Sequence, residues 1–143
     1  MTKHIARYAV FVFLVLGLAA APAAPAAAHT GQCTVTGNTW HDGGAAFYTV
    51  YGSGNVDCSN VHDKLYIKVT LEKFWGDGWL AVGSAEKTDT DRSSIYKQTS
   101  YYSGYSPYSC PYRVRIFYKV WKGRDLNHSD TVYRAQQQHP CHH

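Results

Sequence analysis

His29 follows an Ala26-Ala27-Ala28 triplet and is the first place in this chain to look for chemistry. If the chain is cut after Ala28, His29 carries a free α-amino group. Its amine and ring nitrogens can then chelate Cu(II), whose tetragonal preference suits nitrogen donors. Such a site needs a second histidine, and the chain offers His41, His62, His128, His139, His142 and His143. Three of these crowd "HPCHH" at the end of the sequence, around Cys141. Histidines at a chain end bind Zn(II), Ni(II) or Cu(II) weakly without a built site. The preferred reading is that an A-x-A pattern sets the cut and His29 is incidental. No cofactor is therefore expected, and copper at His29 is kept as a further alternative.

Covalent and hydrolytic catalysis find little footing. The sequence has no G-x-S-x-G nucleophile elbow. Asp57, Asp63, Asp89 and Asp91 read as turn residues, where aspartate bonds its own backbone. With four cysteines paired, no thiol is left as a nucleophile. The expectation is a protein that is not an enzyme.

The elements that carry these residues begin with a leader. Lys3, His4 and Arg7 precede an apolar stretch over residues 8–21, and a small-residue tail ends at Ala28. This is the pattern of a secretory signal peptide, with an apolar run too short for a membrane helix. Removing 28 residues from 143 leaves 115, enough for one small domain over residues 29–143. The mature chain is expected to be secreted, monomeric and not inserted in a membrane. Two basic residues and no acidic ones leave with the leader, so the net charge falls from +4 to +2. That near balance gives no support for nucleic acid as a partner.

The mature sequence alternates apolar and polar residues in short runs separated by Gly, Asn and Asp. About seven strands are expected: "CTVTGNTW", "AFYTVYGSGNVDC", "KLYIKVTLEKFW", "WLAVGSAEKT", "SSIYKQTSYY", "YRVRIFYKVW" and "DTVYRAQQQ". The fold expected is all-β: a small antiparallel β-sandwich, immunoglobulin-like in a loose sense. Leu65, Ile67, Val69 and Leu71 should face the core. A type I′ turn at Asp77-Gly78 would set Trp75 opposite Leu80 and bury both, with Phe74 and Trp79 outward.

Cys33, Cys58, Cys110 and Cys141 allow three pairings. Pairing Cys33 with Cys58 centres a hairpin turn between Ala45 and Ala46. Pairing Cys110 with Cys141 centres one between Asp125 and Leu126. Both centres fall within turn-forming sequence, so these two bridges are favoured. The rival is an inter-sheet Cys58–Cys110 bridge, for which Tyr108 has the tyrosine-corner spacing.

The sixth run offers a surface. Tyr112, Val114, Ile116, Tyr118 and Val120 share the phase of Cys110 and should be buried. Arg113, Arg115, Phe117, Lys119 and Trp121 then face out, and the Cys110–Cys141 register sets Arg134 opposite Phe117. With Phe74 and Trp79 these form a candidate binding surface, since arginine stacks on rings and pairs with anions. A solvated sheet face is the plainer reading of the same pattern. The tyrosine-rich segment from Tyr96 to Tyr112 is a second candidate contact surface.

The "CTVT", "DCSN", "VTLEKFWGDGW" and "YSC" stretches, with a last cysteine near the C-terminus, resemble small secreted proteins of Streptomyces-like actinobacteria. The resemblance implies a two-disulfide β-sandwich outside the cell and carries no catalytic residue. The function expected is a non-catalytic binding module for an extracellular protein or a cell-wall polymer. A secreted enzyme inhibitor is the alternative. The W-R-Y triplet of small actinobacterial amylase inhibitors is absent, since "NTWHD" supplies only the tryptophan.

Overall fold

The computed structural model describes residues 33–44, 47–104 and 107–141. The leader, His29, Tyr105, His142 and His143 lie outside the described residues. Five antiparallel strands form one sheet: β1 (Cys33–Gly44), β2 (Phe47–Trp75), β3 (Gly78–Gly104), β4 (Ser109–Lys122) and β5 (Asp125–Pro140). No helix among the described residues is long and apolar enough to cross a membrane.

Two strands dominate. β2 pairs with β3 along nearly its whole length on one edge. On its other edge it pairs first with β1, through residues 47–58, and then with β4, through residues 64–73. β5 completes the order beside β4. The sheet curls into a half-barrel, so its two ends face each other. The expected seven runs are therefore five strands, and the two layers are halves of a single sheet. The correction has a physical source. Between Asp57 and His62, β2 holds three more residues than β3 does between Ser94 and Arg92. Such a bulge bends a strand without ending it. Asp57, Asp63, Asp89 and Asp91, expected in turns, lie in the long strands that pass through this bend. Asp91 takes a left-handed backbone there, with φ 53°.

Alternation decides which face is buried. Leu65, Ile67, Val69 and Leu71 of β2 are at most 1 % exposed. Tyr112, Val114, Ile116, Tyr118 and Val120 of β4 are buried too, as their phase predicts. Against them packs the other half of the curl, where Gly37, Gly52 and Gly54 lie over Val114, Ile116, Leu71 and Val69. A Cβ on Gly52 would sit 2.7 Å from Cγ1 of Val114, so only glycine allows this approach.

Both favoured disulfides are present, Cys33–Cys58 and Cys110–Cys141, and no described cysteine is free. The rival Cys58–Cys110 bridge is thereby excluded. Cys33 stands directly opposite Cys58, and the β1–β2 register runs without a shift from there to Gly44 and Phe47. The second bridge is not a directly facing pair. Cys110 stands opposite His139, and Cys141 lies just past the end of β5. Two bridges of this kind fit an oxidising compartment.

The two tight turns also differ in place from the expectation: β4 and β5 join through Gly123-Arg124, with Lys122 opposite Asp125, and not at Asp125-Leu126. β2 and β3 join through Gly76-Asp77, with Trp75 opposite Gly78 and Phe74 opposite Trp79. Gly76 supplies the positive φ, 57°. The register differs by two residues from the expected one, so each side chain keeps its face. Trp75 and Leu80 hold core-facing positions, but the sheet end there is open and they are 41 % and 56 % exposed.

Candidate functional site

The outer face of the sheet is built by two strands in register. Lys64 pairs with Trp121, Tyr66 with Lys119, Lys68 with Phe117, Thr70 with Arg115 and Glu72 with Arg113. The residues between them are the buried ones, so these ten side chains share the opposite face. From Lys64 to Lys68 and from Phe117 to Trp121, cations and aromatic rings alternate along the strands and meet across the pair.

Glu72 organises one end. Arg113 Nε donates to its Oε2 at 2.8 Å, and Arg115 forms an ion pair with it, Nε lying 3.1 Å from Oε1. The carboxylate is only 6 % exposed, a burial made tolerable by one charge-assisted hydrogen bond, from Arg113, and a second ion pair, with Arg115. The Arg113 guanidinium lies 4.1 Å from the Trp79 ring centroid and 4.2 Å from that of Tyr133. Trp79 in turn meets the Phe74 ring edge-on at 5.4 Å. At the other end Lys64 Nζ sits 4.1 Å over Trp121. Tyr66 donates from its hydroxyl to Glu86 at 2.7 Å. That hydrogen bond, then burial, pushes the phenol up to about 12.

Phe74, Trp79, Arg113, Arg115, Phe117, Lys119 and Trp121 are therefore brought to one face, as their spacing predicts. Arg134 is not. It stands opposite Val114 and donates from Nε to the Val35 carbonyl at 3.2 Å, on the core side of β5. Bulges between Tyr112 and Val114 and between Val120 and Trp121 displace the β4–β5 register by an odd number of residues. An odd slip exchanges the two faces of a strand. Thr131 takes the place opposite Phe117, and Tyr133 joins the outer face opposite Arg115. Glu72, Lys68 and Tyr133 are the members that spacing did not single out. The outward phase of Lys68 and Glu72 was legible in "KLYIKVTLEKFW". In the middle of the face, Lys68, Thr70, Arg115, Phe117 and Thr131 line a shallow groove.

A second hollow opens at the end of the curl. Lys73, Trp75, Leu80, Tyr101, Tyr102 and Ser103 border it. Lys73 is buried, with its ammonium 4.5 Å from the Trp75 ring and 5.7 Å from that of Tyr101, and burial lowers its pKa. Of the tyrosine-rich segment, Tyr96, Tyr102 and Tyr108 are exposed, while Tyr112 is wholly buried. Burial pushes the Tyr112 phenol up to about 12.

The histidines separate. His128 Nε2 contacts the Tyr118 hydroxyl at 3.0 Å. His62 is buried with no partner for Nε2, beside the sulfurs of Cys33 and Cys58. Those sulfurs are joined to each other, which removes the thiolates a metal would need. His41 and His139 come together from opposite ends of the chain, Nδ1 to Nδ1 at 3.1 Å. His139 is 4 % exposed, and burial followed by the charge of His41 lowers its pKa. Neither His29 nor "HPCHH" beyond Cys141 falls within the described residues. No protein-family model matches the chain, and no curated protein matches it.

Proposed function

We propose that the protein is a non-catalytic secreted binding module whose outer sheet face holds an anionic cell-wall polymer. The groove at Phe117 carries the reading. Lys68 and Arg115 line it together with the Phe117 ring, Thr70 and Thr131. Arg115 is tied to Glu72 through Nε yet keeps 42 % of its side chain exposed. A phosphate or carboxylate can bridge two such cations while the attached ring lies on Phe117. Positions two apart on a strand are separated by about 6.8 Å, so on β4 Arg113 and Arg115 lie one such step apart and Lys119 two steps further on, past Phe117. A row of this kind suits a repeating anion better than a single small molecule. The leader sequence, the two disulfides and the actinobacterial resemblance support an extracellular place of action for a monomeric mature chain.

The test is sedimentation of the mature protein with purified cell walls. Binding is expected at low ionic strength and should weaken as salt screens the row. The K68E/R115E variant should stay in the supernatant while keeping the wild-type circular dichroism. Wild-type protein left unbound at low salt would sink the proposal.

A further inference from the structure

We propose that His41 and His139 form a transition-metal site, for Cu(II) or Zn(II), where the two ends of the curled sheet meet. The site is separate from the outer face and needs neither His29 nor the histidines after Cys141.

Thr39 donates from Oγ1 to the Ala135 carbonyl at 3.0 Å. Its single hydrogen is thereby committed, so toward His139 Nε2, 2.9 Å away, the oxygen can only accept. His139 must carry its proton on Nε2. Its Nδ1 then presents a bare lone pair, which is the form a metal binds. A histidine whose second nitrogen is fixed by a hydrogen bond is the usual supporting arrangement of metal ligands. Thr39 is 2 % exposed, so the lock is sheltered from water.

His41 supplies the second donor. Its Nδ1 lies 3.1 Å from that of His139. Two nitrogens each about 2.0–2.1 Å from one metal ion and 3.1 Å apart subtend roughly 100° there, between the square-planar and tetrahedral values. The ring centroids are 5.3 Å apart, so the two nitrogens lie nearly on the line joining the rings. This is the geometry of an N–H···N hydrogen bond, and a metal must sit off that line. His41 is the ring that swings to meet it, because it is exposed whereas His139 is enclosed. On loading, the proton between the rings leaves His41 Nδ1 and the ring is reprotonated at Nε2. The exchange needs no redox step and no net proton release when both rings start neutral.

The surroundings hold His139, the ring that stays in place. Tyr48 packs T-shaped against His41, and Tyr112 against His139. The Cys110–Cys141 bridge anchors the chain two residues beyond His139. Waters complete the coordination shell on the open side.

The experiment titrates Cu(II), and separately Zn(II), into the oxidised protein by calorimetry, with the electron paramagnetic resonance spectrum of the copper form. The starting protein carries H29A, H142A and H143A, which removes the histidines of the two chain ends. One equivalent should bind, with hyperfine coupling to two imidazole nitrogens. His41→Ala, on an exposed side chain, should fold normally and lose at least about tenfold in affinity. Thr39→Val frees the His139 tautomer and should weaken binding in the same direction. Unchanged binding in His41→Ala, or no equivalent bound by the starting protein, would overturn the site. Failure here leaves the polymer-binding proposal untouched, since no residue is shared.

Discussion

Gly37 rests against Val114: a Cβ on Gly37 would lie 2.7 Å from Cγ2 of Val114 and 2.9 Å from Cβ of Arg134. This contact joins β1 to β4 across the inside of the curl. Gly52 and Gly54 of β2 make the same kind of approach to Val114, Leu71, Ile116 and Val69. The absence of three side chains sets how closely the sheet ends pack.

Alanine at any of the three should therefore overpack the core. Gly52→Ala is expected to destabilise by about 1–3 kcal/mol, the usual cost of forcing an extra carbon into a packed interior. Gly78→Ala provides the contrast, because nothing lies within 4 Å of its Cβ position. Its midpoint in urea should stay close to wild type. Equal losses for the two variants would show that the close packing has been misjudged.

Glu72 should be worth more than an ordinary surface acid. Glu72→Gln keeps the shape but removes the charge that Arg113 and Arg115 share. The expected loss is about 1–2 kcal/mol, discounted because the arginines reach solvent. The same substitution frees Arg115, so wall binding should not fall with stability. Urea denaturation and sedimentation of one variant would separate the two roles.

Alternation made much of this legible in the sequence. "KLYIKVTLEKFW" and "YRVRIFYKVW" each bury one phase, and both contribute the outer face from the other. The Cys33–Cys58 register was readable because no bulge interrupts β1 and β2 between the bridge and the turn. The β4–β5 register was not, because two bulges intervene and the bridge joins residues that do not face each other. That cost the placement of Arg134 and hid Tyr133. The bend in β2 looks like a turn in the sequence, since Asp57, Asn60 and Asp63 are common turn residues. The meeting of His41 and His139 leaves no local signal, because only the curl creates it.

Stability should decline in alkali through Tyr112. Its phenol is pushed from 10 up to about 12, by burial first, and its hydroxyl contacts the Pro140 carbonyl at 3.4 Å. Between these values the folded chain holds a proton that the unfolded chain releases, so stability falls as pH rises. The contribution is complete below about pH 10 and lost through about pH 12. Tyr112→Phe should flatten the dependence in that window, measured as urea midpoints from pH 9 upward. An unchanged slope would place the effect elsewhere.

Lys73 tests whether the hollow at the sheet end depends on its charge. The side chain is buried beside the Trp75 and Tyr101 rings, and burial lowers its pKa. A buried ammonium carries a desolvation cost that an apolar chain of similar length avoids. Lys73→Met should thus lie within about 1 kcal/mol of wild type, because methionine fills the same space against the rings. Lys73→Ala removes the stem as well and should cost more, through lost packing. The difference between the two variants, read from denaturation midpoints, isolates packing from charge. If methionine is as damaging as alanine, the ammonium itself holds Trp75 and Tyr101 in place, and the hollow depends on a cation at its base.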